Sequence, residues 1–184
     1  MQARRAREWW SPGRVAPRMA SLLAAALWVG CGGSGAASDG GAGGGADAAG
    51  PWVEAGTGSA DFVPLADGDT IQLYAGPQGG YHTFGAMRGG GLACPGATLH
   101  FRVVDGIDLT TVLAESTYVD DLQRVGDEKR YTGVALMFAG WAGAPLTQAM
   151  ADLDGRALRL ELDVLDAAGA SASSTVDVVG ACCN

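Results

Sequence analysis

The chain has 184 residues, enough for one ordinary domain with a single core. Its 20 acidic residues outweigh 12 basic ones, for a net charge of −8, and 48% of its residues are hydrophobic. So acidic a chain repels phosphate backbones and anionic headgroups, which excludes nucleic acid and charged lipid surfaces as partners.

Arg4, Arg5, Arg7, Arg14 and Arg18, opposed by Glu8 alone, precede the apolar run Ala20–Gly30. That is the layout of a secretory leader. As a helix the run would extend only about 17 Å, well short of the roughly 30 Å hydrocarbon core, so it does not read as a permanent span. Leu27-Trp28-Val29-Gly30-Cys31 resembles the lipobox of bacterial lipoproteins, with Trp28 where that family usually carries Leu. The resemblance implies that residues 1–30 are a signal peptide, and that Cys31 is lipidated and becomes the new N-terminus. The partner would then be a membrane, reached through an N-terminal lipid. Gly32, where Asp would signal retention, implies the outer membrane by the usual Gram-negative sorting pattern. An ordinary secretory signal cut nearby is the alternative. Cleavage would leave seven basic and nineteen acidic residues, a net charge of −12.

Residues 31–51 form a Gly/Ala-rich segment in which nine Gly and six Ala occupy the nineteen positions before Pro51. Side chains so small cannot bury enough apolar area to offset ordering entropy, which predicts a flexible tether with an end-to-end distance of roughly 25 Å.

From residue 52 the pattern turns to short alternating runs punctuated by Gly, Pro and Asp, the signature of an all-β domain. A short strand is expected over Asp61–Leu65, and Thr70–Ala75 puts Ile71 and Leu73 on one face with Thr70, Gln72 and Tyr74 on the other. Tyr81–Arg88 follows the Gly76–Gly80 turn, with His82, Phe84 and Ala86 in register. Ala97–Val104 turns Leu99, Phe101 and Val103 inward and His100 and Arg102 outward, and Thr111–Val119 is weaker. Gly133–Phe138, apolar on both faces, reads as a central strand. Leu146–Leu153 has helical spacing. Ala157–Leu165 sets Leu158, Leu160, Leu162 and Val164 against Arg159, Glu161 and Asp163, and Thr175–Val179 closes the set. Residues 52–184 are thus expected to form a single immunoglobulin-like antiparallel β-sandwich of about seven strands, with a small barrel as the alternative.

Gly76–His82, GPQGGYH, together with the preceding GDTIQLYA, resembles a segment found in uncharacterised glycine-tethered bacterial lipoproteins. That implies a surface-anchored β-domain and carries over no functional residue.

With Cys31 lipidated, Cys94, Cys182 and Cys183 remain, and an oxidising compartment favours a disulfide. A bridge from Cys94 to Cys182 or Cys183 is expected, with a vicinal Cys182–Cys183 bridge as the alternative. His82, His100, Cys94 and Met87 include the ligand types of a copper site but not its spacing, so no metal is expected there. The pairs Asp67/Asp69, Asp105/Asp108, Asp120/Asp121 and Asp152/Asp154 read as turn chemistry, with calcium as the alternative. Gly76–Gly80 lacks the Lys-Ser/Thr ending of a phosphate loop, and Ser116 and Thr117 have no base near them in sequence. No catalytic constellation or cofactor site emerges. The expectation is therefore a non-catalytic envelope lipoprotein with a protein-interaction or structural role, using the surface of Pro77, Gln78, Tyr81, His82 and Trp141 toward an envelope protein partner. A small-ligand or divalent-cation module built on His82 and the acidic loops is the alternative.

Overall fold

The computed structural model describes residues 50–77 and 79–183. The expected signal peptide and lipidation at Cys31, the expected tether up to residue 49, and Gln78 lie outside the described residues.

Ten strands occur among the described residues: β1 (Trp52–Thr57), β2 (Val63–Pro64), β3 (Asp69–Ala75), β4 (Tyr81–Gly90), β5 (Ala97–Asp105), β6 (Val112–Asp120), β7 (Gln123–Val125), β8 (Glu128–Met137), β9 (Ala157–Leu165) and β10 (Ser171–Cys182). A 3-10 turn (Ala139–Trp141) and one helix, α1 (Leu146–Leu153), lie between β8 and β9. One layer runs β2-β1-β4-β8-β7 and the other β3-β10-β9-β5-β6. β3 belongs to both layers. Its first part pairs with β10, and at Tyr74 and Ala75 it crosses to pair with His82 and Tyr81 of β4. That crossing joins the layers into one curled sheet.

The β-sandwich expected from the sequence is present, with differences in detail. β7 is too short to show alternation, and β1 lies where the chain reads as only the start of folded structure, so the strand count rises; of the short strand expected over Asp61–Leu65 only Val63–Pro64 pairs. One pair, β3 with β10, is parallel. The stretch expected to be central, Gly133–Phe138, pairs only with β4 over Val134–Met137. Its outward residues are apolar for another reason, taken up below.

The core is made where the two inner faces meet. Leu99, Phe101 and Val103 of β5, Leu158, Leu160 and Leu162 of β9, and Ile71 and Leu73 of β3 are buried. They face Met87 of β4, Val134 and Leu136 of β8, and Ala55 of β1. Period-two alternation delivers a strand's apolar set to one side, which is how nine-residue β9 buries Leu158, Leu160, Leu162 and Val164. β4 can lie this close to β5 only because position 85 has no side chain. A Cβ on Gly85 would stand 2.8 Å from the Phe101 ring. At one end of the sandwich α1 seals the core with Ala149 and Leu153, and the Leu153 carbonyl stands where a Cβ on Gly180 would be, at 2.5 Å.

The disulfide joins Cys182 to Cys183, so the expected bridge from Cys94 to either residue is not formed. The length of β10 is the reason. Cys94 follows Ala93, whose N–H binds Asp166 beside the start of β10, whereas Cys182 ends that strand. Eleven residues at about 3.3 Å each put some 36 Å between the two ends.

Candidate functional site

The two outer faces of the sandwich differ in chemistry. On the second layer they carry a charged ladder: Arg102 of β5 lies opposite Glu115 of β6 and Glu161 of β9. Its guanidinium is 2.8 Å from Glu161, and Arg159 binds Asp177 at 2.7 and 3.0 Å. His100 Nε2 is 2.6 Å from Glu115. These groups neutralise one another across strands and keep the face wet.

The outer face of the first layer carries ion pairs of Arg88 with Glu54 and of Arg130 with Glu128 toward one end and an aromatic cluster toward the other. Tyr74 of β3, His82 of β4 and Met137 of β8 form one cross-strand row, and Phe84 sits two residues along β4 from His82. The three rings touch one another: His82 and Phe84 meet edge-on at 5.1 Å between centroids, Tyr74 and Phe84 at 5.7 Å, and Tyr74 and His82 at 5.8 Å. Tyr74 is 37% exposed and Met137 50%. The β3–β4 hairpin leaves this platform open because it is built from glycines. Gly79 takes φ +77°, which an L side chain rarely adopts, and a Cβ on Gly80 would meet Met137 Cε at 2.8 Å.

Beside the platform the segment following β1 folds back over the sheet. Gly133 N–H donates to the Gly58 carbonyl, and the Thr132 hydroxyl donates to that of Ala60. Phe62 then covers Gly56, where no Cβ would fit, and Arg88 lies over the Phe62 ring at 5.2 Å. Between this segment and the strands runs a groove of about 360 Å³. Ser59, Asp61 and Val63 line its wall, Tyr74 and Phe84 its aromatic side, and Thr57, Thr70 and Gln72 its polar floor. Two of the floor groups are fixed by the fold. The Thr57 hydroxyl donates to the Phe84 carbonyl at 2.7 Å. The Gln72 amide nitrogen donates to the Leu73 and Ala181 carbonyls at 3.0 and 2.8 Å.

The surface expected from sequence is divided. Pro77 is exposed in the hairpin and His82 stands on the platform. Tyr81 is interior at 4% exposure, its hydroxyl donating to the Ala144 carbonyl at 2.9 Å. Trp141 is a packing residue in the segment that bonds to the hairpin through Gly143 N–H and the Gly79 carbonyl: its Nε1 donates to Asp152, Phe138 meets it edge-on at 6.2 Å, and Arg156 stacks on it at 5.8 Å. Tyr74, Phe84 and Met137 are the residues that the sequence reading did not assign to a site. The available signal was an apolar side chain on the face that alternation marks as wet.

No protein-family model matches the chain, and no curated protein matches it. Among solved structures, a bacterial adhesin from Mobiluncus mulieris containing intramolecular disulfide, isopeptide and ester bond cross-links aligns with 71% of this chain at 10% identity and a TM-score of 0.44. The chain spans 57% of that structure's length.

The carboxylates of the acidic loops are engaged in hydrogen bonds, some within their own turns and some to other segments. Asp108 receives the Thr110 and Thr111 N–H groups, both at 2.8 Å, and the Thr111 hydroxyl at 2.6 Å. The hydroxyl first, then the two N–H groups, lower its carboxyl to about 2. Asp105 binds the Ile107 N–H and Arg156, which together hold its carboxyl below the usual range. Asp69 accepts from Ala66, Asp121 from Gly96 and Asp154 from Cys182. Asp120 accepts the Tyr131 hydroxyl at 2.8 Å; burial first, then that carboxylate, push Tyr131 up to about 12. His82 and His100 stand on opposite outer faces. Among the described residues no three His, Cys, Asp or Glu gather as a metal would require, and no helix is long and apolar enough to cross a membrane.

Proposed function

We propose that this protein is a non-catalytic recognition domain of the bacterial cell envelope, held to the outer membrane by acyl chains on Cys31, that binds its ligand through the aromatic face of the first layer. The leader and lipobox support the anchor, since two or more acyl chains on one residue exceed what stable attachment needs. The Gly/Ala segment supports reach, lifting the domain clear of the headgroups. One observation carries the recognition role: three mutually packed rings and a half-exposed methionine remain on an outer face beside a groove, on a molecule whose other face is a ladder of charged groups paired across strands. Exposed apolar surface of this kind costs solubility, and aromatic side chains on a rigid sheet are efficient recognition elements. Between the two readings drawn from sequence, the groove favours ligand binding over a flat protein contact, because it is concave and mixes rings with a few fixed polar groups.

Two measurements test this. Metabolic labelling with a radioactive fatty acid labels the wild-type chain and not Cys31→Ser; labelling of both removes the anchor from the proposal. A photo-crosslinking amino acid at position 74, introduced in growing cells, captures an envelope component, while the same probe at position 115 on the charged face does not. Equal capture at both positions, or at neither, refutes recognition by the aromatic face.

A further inference from the structure

We infer, building on the recognition role proposed above, that the groove beside Tyr74 and Phe84 binds a neutral glycan. Three features of the lining select this chemistry.

The first is charge. The groove is lined by one carboxylate, Asp61, and by no basic residue, on a chain of net charge −8. An anionic ligand, whether phosphate-bearing or an acidic polysaccharide, would meet repulsion with no cation to offset it. The second is ring packing. Centroids 5.1–5.8 Å apart mean that the rings contact each other and form a platform. A cage for an ammonium group needs faces separated by the cation itself, and none is left here. The ring planes are tilted by 33–87° to one another, so what they offer the groove is not one flat sheet but the exposed Tyr74 ring, on which the C–H side of a pyranose can stack. The third is the direction of the hydrogen bonds. Gln72 spends its amide N–H groups on the Leu73 and Ala181 carbonyls, and Thr57 its hydroxyl proton on the Phe84 carbonyl, so both are left as acceptors held in place by the fold. With Asp61 they share the lining with the Ser59, Thr70 and Tyr74 hydroxyls, which can donate or accept, and such a mixed set calls for a ligand rich in hydroxyls without net charge. A sugar supplies this as a rim of hydroxyls around an apolar face. At about 360 Å³ the groove is at the small end of ligand sites, suited to a short stretch of a longer chain.

The test uses the full chain, produced with its own leader and purified in mild detergent. Binding is measured by calorimetry to three neutral hexasaccharides (cellohexaose, chitohexaose and maltohexaose), to the acidic polymer polygalacturonate and to the basic peptide hexalysine. The expected result is binding of at least one neutral hexasaccharide, little changed between 50 and 300 mM salt (roughly the range over which screened charge contacts weaken). Tyr74→Ala weakens it about tenfold or more, and Glu115→Ala on the opposite face leaves it unchanged. Thr70→Val, on the polar floor, gives a smaller loss in the same direction. Thermal melts of each variant confirm the fold; Tyr74 is exposed enough that its truncation leaves the core intact. Salt-sensitive binding of hexalysine without any neutral sugar overturns the glycan assignment, as does sugar binding that Tyr74→Ala does not affect. No binding of any probe, with crosslinking at position 74 retained in cells, overturns the ligand class and leaves the recognition role standing. No binding together with no crosslinking at position 74 overturns both.

Discussion

Gly85 offers a direct test of how the two layers meet. An ideal Cβ at this position would lie 2.8 Å from Phe101 Cδ1 and 3.0 Å from Cε1, whereas ordinary contacts begin at 3.4 Å. In Gly85→Ala the ring would have to retreat by about 0.6 Å, inside a core where Phe101 has no exposed surface. Overpacking of this kind costs about 1–3 kcal/mol, which for a domain of this size lowers Tm by roughly 3–10 °C. Gly80→Ala is the matched control. Its Cβ also meets a side-chain atom at 2.8 Å, but that atom is the terminal methyl of half-exposed Met137, which can swing aside. Relief from glycine's unfolded-state entropy then makes Gly80→Ala neutral or more stable by about 0.5 kcal/mol. Urea unfolding followed by circular dichroism separates the two. In the double variant Gly85→Ala/Phe101→Leu the smaller side chain relieves the overlap, so the pair is more stable than the sum of the single changes by about 1 kcal/mol. If Gly85→Ala is within about 0.5 kcal/mol of wild type, or the pair is additive within that margin, the face-to-face packing of β4 on β5 is wrong.

Two further outcomes follow from the carboxylates. Asp166, 5% exposed, accepts the N–H groups of Ala93, Ala168 and Ala170 at 2.7, 2.9 and 2.8 Å and ties the β9–β10 connection to the β4–β5 connection at one end of the sandwich. Asp166→Ala leaves those donors without a partner and costs about 2–4 kcal/mol in urea unfolding at pH 7. Its carboxyl is held below the usual 3.8, chiefly by the Ala93 N–H. The charged form therefore stabilises the fold fully above about pH 4, and that stability is lost as pH falls through the native value. Asp166→Asn should accordingly be less stable than wild type at pH 7, with the gap narrowing below pH 4; a gap independent of pH refutes this. Asp108 should titrate near 2 by carbon-detected NMR, and Thr111→Val, which removes the hydroxyl that contributes most, should raise it toward 3.8; no change on that substitution assigns the shift elsewhere.

The elements that were legible in sequence are those whose neighbours do not matter. β9 can be read from Leu158, Leu160, Leu162 and Val164 alone, and α1 has the bounds that its spacing predicts, Leu146–Leu153. β3 could be read by face, with Ile71 and Leu73 in and Thr70, Gln72 and Tyr74 out, yet nothing in those seven residues tells that it leaves one layer for the other at Tyr74. That crossing is a property of β4 and β10 together. The disulfide failed as a sequence inference for a similar reason: proximity depends on which end of a twelve-residue strand each cysteine occupies. Tyr81 is different. Placing His82, Phe84 and Ala86 in register already sent Tyr81 to the opposite side, so its burial followed from the pattern itself.

The aromatic face was visible as a local contradiction. Phe84 sits in register with a histidine on the outer side, and the run Val134–Met137 is apolar on both sides although only one can face the core. A strand buried on both faces explains such a run when it has neighbours on both edges, but β8 is paired with β4 alone over that length. Its outward Met137 must then be accounted for at the surface, where it lies in the row of Tyr74 and His82. An apolar side chain held out of the core by its own strand's register is a departure from consistency between local pattern and fold. Such departures concentrate at functional sites. The same strand register that packs Thr83 and Gly85 inward fixes His82 and Phe84 outward, so a ligand would meet rings whose backbone positions are already set by the core beneath them.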